Sequence, residues 1–348
     1  MSGVLEHPVE RSVKDMTPVW TFRDAHGRSV MIMKEGELSI LLNGSVAAHT
    51  RLHFEEEFAK AIGLCWSVPE KDRNFLIYVL ADYAFSEGAD CFSVPLELVS
   101  DPADASFPIH EIRNNTALLY RQGHRQQRDF WQAGPPAHRQ PLLRRTLADG
   151  RDHPLRPPAP KGVFYRRRDA ITGHEFTLRA LDIGRDLELF HMWQNQPRVA
   201  KFWDEAGPIE KHEAYLHRME ADPHAFSVIG ELDGEPSTYF EIYWGKEDRL
   251  GPHYEADDYD RGWHVLVGEK RHLGRDRTLA WFRTITHCLF LDDCRTRKVV
   301  GEPSATHSNM LRLCEESGYT LEYEFDFPHK RSMLITCTRD HFFRECIR

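Results

Sequence analysis

The sequence predicts an α+β protein: a C-terminal mixed central sheet flanked by helices, preceded by a small N-terminal α+β domain. Three observations support this reading. Strand-like and helix-like apolar periods alternate from Phe176 onward. Short strand-like runs punctuated by glycine fill the first part of the chain. Between them, seven of the twenty prolines fall from Pro135 to Pro160. Proline removes backbone donors and favours extended neighbours, so 134–162 is expected to be a linker between domains at 1–133 and 163–348.

In the N-terminal part, VWTFR, SVMIM and ELSILL read as strands, and Phe54–Ala61 and Asn74–Phe85 as helices. No internal repeat is evident in the residues. In the C-terminal part FTLRALDI reads as a strand and Asp186–Gln196 as a helix stopped by Pro197. Pro208–Glu220 reads as a second helix with proline near its first turn. AFSVIGEL and PSTYFEIYW flank Asp233-Gly234, a tight-turn pair that signals a hairpin. After the polar stretch 245–260, GWHVLVG is apolar enough for a buried central strand. A loop, KRHLGRD, leads into the helix RTLAWFRTITHCLFL, whose Trp281, Ile285, Cys288 and Leu289 share a face. RKVVGEP is a buried strand, Asn309–Ser317 a helix closed by Gly318, and LEYEFDF and RSMLITCT the final strands.

The chain has 348 residues and a formal charge of −9, which argues against a general nucleic-acid binder. No apolar run reaches the ~20 residues needed to span a bilayer. The polar stretch MSGVLEHPVERSVKD has no apolar signal-peptide core, so the cytoplasm is the expected compartment. Seven cysteines without a CxxC pair and twenty scattered histidines without HExxH give no ligand spacing, and no metal is expected.

The element order β-α-α-β-β-β-α-β-α-β-β is similar to the GNAT acyltransferase fold. That fold carries a phosphate-binding loop, Q/R-x-x-G-x-G/A, between its fourth strand and the next helix. Arg271-His272-Leu273-Gly274-Arg275-Asp276 occupies this slot, departing only at Asp276. More specifically, YFEIYWGKEDRLGPHYEADDYDRGWHVLVGE, FLDDCRTRKVVGEP and DFPHKRSML resemble the acyltransferases of hydroxamate siderophore pathways, of the aerobactin, alcaligin and desferrioxamine types. The likeness covers about residues 176–343.

This resemblance implies an enzyme that moves an acyl group from acyl-CoA, with acetyl-CoA the first candidate, to a small N-hydroxylated amine. Gly274 would let the backbone approach the CoA phosphates, and the following helix N-terminus would offer its N–H groups. Arg271 and Arg275 would add positive charge, and Asp276 could cap the helix. Val265, Leu266 and Val267 would run beside the thioester, with an N–H near Val265 or Leu266 donating to its carbonyl. His264 is implied as the base, and Glu302 is the nearest carboxylate to pair with it. Trp263, Trp244 and Tyr243 are expected to pack the acceptor chain, with Glu241, Asp258 or Asp260 facing an ammonium. The tyrosine acid of many GNAT enzymes is replaced by Cys314, and the asparagine opening that helix by His307. An aminoglycoside-type or other small-amine acetyltransferase, and a non-catalytic acyl-CoA-binding module, stay open as alternatives. So do the acyl group, the choice of hydroxylated amine, and a homodimer.

Overall fold

The structure is a computed structural model describing residues 17–24, 26–139 and 141–347; the polar stretch at the extreme N-terminus lies outside them. The chain forms two compact units, one running essentially to His124 and the other from Arg125 onward.

The first unit holds strands β1 (Pro18–Arg23), β2 (Ser29–Glu35), β3 (Glu37–Leu42), β4 (Ser45–Glu55) and β5 (Phe58–Trp66). Helix α1 (Glu70–Ser86), β6 (Cys91–Pro95), β7 (Glu111–Arg113) and β8 (Thr116–Tyr120) follow. The expected helix at Phe54–Ala61 is instead a hairpin. Phe54 pairs with Ala59, and Glu56 takes the positive φ of the turn between them. Three successive glutamates suit an exposed hairpin tip better than a packed helix face. The sheet order is β1-β2-β3-β4-β5-β6-β8-β7, antiparallel except for the β5–β6 pair.

Short helices α2 (Arg121–Arg125) and α3 (Arg128–Trp131) and the hairpin β9 (Arg144–Thr146) and β10 (Asp152–Pro154) lead into the second sheet. This sheet is built from β11 (Val163–Arg168), β12 (Glu175–Ala180), β13 (Ala225–Leu232), β14 (Glu235–Trp244), β15 (Arg261–Val267), β16 (Lys298–Gly301), β17 (Thr320–Phe327) and β18 (Lys330–Thr338). Its order is β11-β12-β13-β14-β15-β16-β18-β17, with β15 and β16 the parallel pair. The two units therefore share one strand order and one placement of the parallel pair, a repeat of topology that the residues do not display.

The helices of the second unit are α4 (Ile183–Gln194), α5 (Pro197–Trp203), α6 (Ile209–Ala221), α7 (Arg275–Asp292), α8 (Ser308–Glu316) and α9 (Arg339–His341). Asp182 caps α4 by accepting from the Arg185 amide, and Pro197 opens α5 at its first turn. The α4–α6 layer meets the sheet through Phe190, Trp193, Val199, Leu216, Ile229, Tyr239 and Leu266. Among its described residues the first unit has no counterpart of these helices: β2 passes to β3 through a single residue.

The structure divides the chain before the proline-rich stretch rather than within it, and 134–162 packs as part of the second unit. The Arg156 guanidinium forms a fork on Glu247 with 2.8 Å from Nη2 to Oε2, and both side chains are fully buried. Arg151 donates to Asp248 O at 3.1 Å, and Arg144 reaches Asp258 at 2.7 Å. Gln132 bridges to Tyr165 and donates to Cys288 O at 2.7 Å. The prolines hold this segment extended while its charged side chains bind it to 244–258.

Candidate active site

The site begins with the ladder between β14 and β15. Gly245 N donates to Asp260 O at 2.8 Å, and Gly268 N to Ser237 O at 2.9 Å. Alternation between these ends makes Tyr243–Gly262, Glu241–His264 and Tyr239–Leu266 the exchanging pairs. Trp263, Val265 and Val267 consequently turn their amide groups to the other edge. There β16 pairs only as far as Arg261–Val299 and Gly262–Val300. Beyond Gly262 the two parallel strands part, leaving the Val265 N–H and C=O on an open edge. Of the two expected thioester donors, Val265 is on that edge, whereas the Leu266 amide pairs with β14.

His264 projects from this strand with a quarter of its side chain exposed. Its Nδ1 lies 3.0 Å from Glu241 Oε2, and its Nε2 lies 3.0 Å from Glu302 Oε1. An ionised carboxylate only accepts, so both ring nitrogens must carry protons and the ring is an imidazolium. Burial opposes that charge, but Glu302 and the Glu241 hydrogen bond outweigh it and bring the pKa to about 10.

Glu302 comes from the turn after β16 and is fully buried. It accepts from Tyr243 OH at 3.1 Å and Arg249 Nη2 at 2.9 Å, and Lys330 Nζ lies 3.8 Å away. Burial would raise its pKa, but the His264 charge, then Lys330 and Arg249, hold it well below the usual carboxylate range. Glu241 accepts from Tyr215 OH and from Tyr239 OH, the latter at 3.0 Å. Burial pushes it up, yet the His264 hydrogen bond and charge bring it below its ordinary value. Glu241 is thus a partner of His264 and not a surface group facing an ammonium.

Other expected acceptor contacts lie elsewhere. Trp263 is on the opposite face of β15, donating to Tyr319 OH at 2.8 Å and packed at a tilt against Phe282. Trp244 lies between the guanidiniums of Arg156 and Arg261, 4.0 and 3.9 Å from its ring centroid. Asp260 is buried, accepting from the Asp257 amide at 2.9 Å with Lys298 Nζ at 3.4 Å. Asp258 is tied to Arg144 and to Lys246, the latter at 2.6 Å; the Arg144 bond and then Lys246 hold its pKa at about 2. Only Tyr243 of the expected aromatic set borders the His264 face, its ring 4.8 Å from the imidazole.

The loop 271–276 lies between β15 and α7, as the pattern requires. Gly274 is the helix N-cap with φ 150°, and a Cβ there would meet nothing within 4 Å. The helix starts at Arg275, so Asp276 lies in the first turn instead of capping it; its carboxylate is 3.3 Å from Arg275. Arg271 pairs with Glu235 at 2.9 Å and Arg275 with Glu316 at 2.9 Å. These residues fit a phosphate cradle: an open glycine backbone, a helix N-terminus and two surface cations that an anion can draw from exposed partners. His272 and Leu273 precede the glycine, with Leu273 exposed.

Burial of the Cys314 thiol pushes its pKa up to about 12, so it is no thiolate donor or nucleophile at neutral pH. His153, His224 and Glu247 place ligand atoms within 4.8 Å of one another. Glu247 is already charge-matched by Arg156, so this cluster reads as an ion network of the 144–156 segment. Sequence reasoning missed Arg249, Lys330, Tyr215 and Trp203. The first two lie inside the quoted segments WGKEDRLGP and DFPHKRSML, but their convergence on Glu302 needs the fold.

Residues 182–327 match the family model described as an acetyltransferase (GNAT) domain. A Beauveria bassiana N(5)-hydroxyornithine:cis-anhydromevalonyl coenzyme A-N(5)-transacylase is 45% identical over 198 residues, 56% of this chain and 44% of the relative. An Escherichia coli N(6)-hydroxylysine O-acetyltransferase is 43% identical over 192 residues, 55% of this chain and 61% of the relative. The chain matches about half the length of these relatives. A crystal structure of an uncharacterized Bacillus halodurans protein superposes with a TM-score of 0.50 at 24% identity, covering 53% of this chain and 94% of that one. The second unit thus carries a GNAT domain. Among the described residues no helix is long and apolar enough to cross a membrane.

Proposed function

We propose that this chain is an acyl-CoA-dependent N-acyltransferase that converts a small N-hydroxylated amine into a hydroxamate of the siderophore type, with acetyl-CoA as the first donor to test. The observation that carries the reading is the Glu241–His264–Glu302 cluster beside the parted edge of β15. The named relatives act on hydroxyornithine and hydroxylysine, which supports the acceptor class.

The pyrophosphate would rest on Gly274 and the first amides of α7, and the pantetheine arm would enter where β15 and β16 part. The thioester carbonyl would accept from the Val265 N–H, which stabilises negative charge as it builds. A hydroxylamine nitrogen is far less basic than an alkylamine and reaches the site neutral, so no strong base is needed before attack. Addition makes that nitrogen positively charged and acidic, and a carboxylate is then base enough to remove its proton. In the resting geometry the imidazole of His264 has no free nitrogen, so Glu302, although held below the usual carboxylate range, is the group of the pair with a lone pair left to take the proton. His264 orients that carboxylate and offsets its charge. The CoA thiolate, with no tyrosine acid beside it, leaves unprotonated and takes a proton from water.

The E. coli relative's name specifies O-acetylation, so product connectivity is the test. The purified chain, acetyl-CoA and N6-hydroxylysine should give a product that forms a coloured ferric hydroxamate complex. An O-acyl product, which forms no such complex, would overturn the N-acylation.

A further inference from the structure

We propose that Trp203 is a catalytic residue, its indole N–H acting with the Val265 N–H as a second donor to the oxyanion of the tetrahedral intermediate. The proposal rests on the acyl-transfer reading above. It adds a side-chain donor to a hole otherwise made of one backbone amide.

The geometry starts at the end of α5. Asp204 adopts the left-handed conformation with φ 54° and stops the helix at Trp203. The indole then turns to the open edge of β15, where its Nε1 donates to Val265 O at 3.3 Å. That contact is longer than a usual N–H···O bond of about 2.7–3.2 Å, so the donor is held in place without being strongly satisfied. The ring is fixed by edge contacts to Tyr239 at 5.7 Å and to His264 at 6.5 Å between centroids. It therefore lies between the His264 cluster and the backbone group that would receive the thioester.

Within a strand, one residue's N–H and C=O leave on the same edge. A thioester oxygen accepting from the Val265 N–H thus lies beside the carbonyl to which Trp203 now donates. A small swing carries the indole N–H from that neutral carbonyl to the developing oxyanion, a stronger acceptor. In the step itself the acceptor nitrogen's lone pair forms the N–C bond and the carbonyl π pair moves to oxygen. Glu302 takes the nitrogen's proton. Collapse restores the C=O bond, breaks C–S and releases the thiolate. The two N–H donors give up no atoms; they stabilise the oxygen charge between these events.

Trp203→Phe keeps the ring and removes the N–H. Loss of one oxyanion donor is expected to lower kcat by about 10²–10³-fold. CoA affinity should be unchanged, and the fold-loss should be the same for two acceptors of different length. A role only as acceptor wall predicts the opposite split, with kcat kept and acceptor KM raised differently for the two. If W203F retains kcat within about threefold, the proposal fails. Trp203→His, which restores an N–H, should recover part of the rate. Should both variants misfold, wild type with labelled indole nitrogens decides the matter. The Trp203 indole proton should move downfield on saturation with acetyl-CoA, and an unmoved resonance refutes the donor. Wild type that acylates no acceptor at all would instead sink the acyl-transfer reading.

Discussion

Nε2 of His264 and Oε1 of Glu302 lie 3.0 Å apart across 38 residues of chain, and Glu241 closes the other side of the same ring. The arrangement makes a charged imidazolium between two carboxylates, not a neutral base awaiting a proton. Titration of the free protein followed by the ring nitrogens should show His264 doubly protonated through neutrality and losing its proton near pH 10. A midpoint near 6.5, the ordinary histidine value, would show that the carboxylates do not hold the ring.

The cluster also fixes a pH window for stability. His264 is raised from 6.5 to about 10, so its contribution is complete below pH 6.5 and is lost as pH rises toward 10. Glu302 and Glu241 are lowered from 4.5, so theirs is complete above that value and is lost as pH falls below it. The difference in unfolding free energy between wild type and His264→Gln, read from urea titrations, should therefore be greatest between pH 4.5 and 6.5 and shrink on either side. A difference that does not vary with pH would show that the cluster is not ionised in this way.

The 144–156 segment carries a buried ion pair, and breaking one from a single side is costly. Arg156→Met takes the guanidinium from the buried Glu247 and leaves only the His153 ring beside it, 2.9 Å away, and should cost about 3–5 kcal/mol by denaturant unfolding. The same ties should make 141–157 resist limited proteolysis until the second unit unfolds. A near-neutral Arg156→Met and an early cut there would restore the view of this stretch as a free linker.

The repeated topology makes one donor site per chain the expectation, not two. In the second unit Gly274 leads into α7; in the first, α1 opens with Pro69, Glu70 and Asp72, which remove an amide and repel phosphate. Calorimetry with CoA should give a stoichiometry of one. Gly274→Val puts a branched side chain, on a φ of 150° that favours glycine, into the open space where the phosphate would approach; pushing the phosphate off about one charged hydrogen bond should weaken binding by about 10–100-fold. A stoichiometry of two, or unaltered affinity, would remove the loop from its role.

Strand alternation, the Asp233-Gly234 turn and the helix-stopping prolines were enough to read seven of the eight strands of the second sheet in order, because each is a local signal; the edge strand Val163–Arg168 and the short helix Pro197–Trp203 were missed. His264 and Glu302 were each legible because both stand in motif segments, whereas their pairing comes from the fold. Glu241 was legible as a site residue but not as the second clamp on His264, since strand register decides which residues face each other. Trp244 and Trp263 were misplaced for the same reason: alternation sends them to the other face; Asp260 shares the parity of His264 but is held away from it by the Asp257 amide and Lys298. The proline-rich stretch misled because prolines state only that a chain is extended. Arg156 and Glu247, 91 residues apart, decide that it is packed. The topological repeat was invisible because the two units share strand order without sharing residues.

The proposed reaction needs an acceptor that arrives neutral because it is N-hydroxylated. The most direct measurement is acetyl-CoA-dependent thiol release at neutral pH with N6-hydroxylysine and with lysine, side by side. Transfer to the hydroxylated amine should be rapid, and transfer to lysine far slower, recovering partly as pH rises and the ammonium deprotonates. Equal rates with both acceptors at neutral pH would contradict the account and favour a general small-amine acetyltransferase.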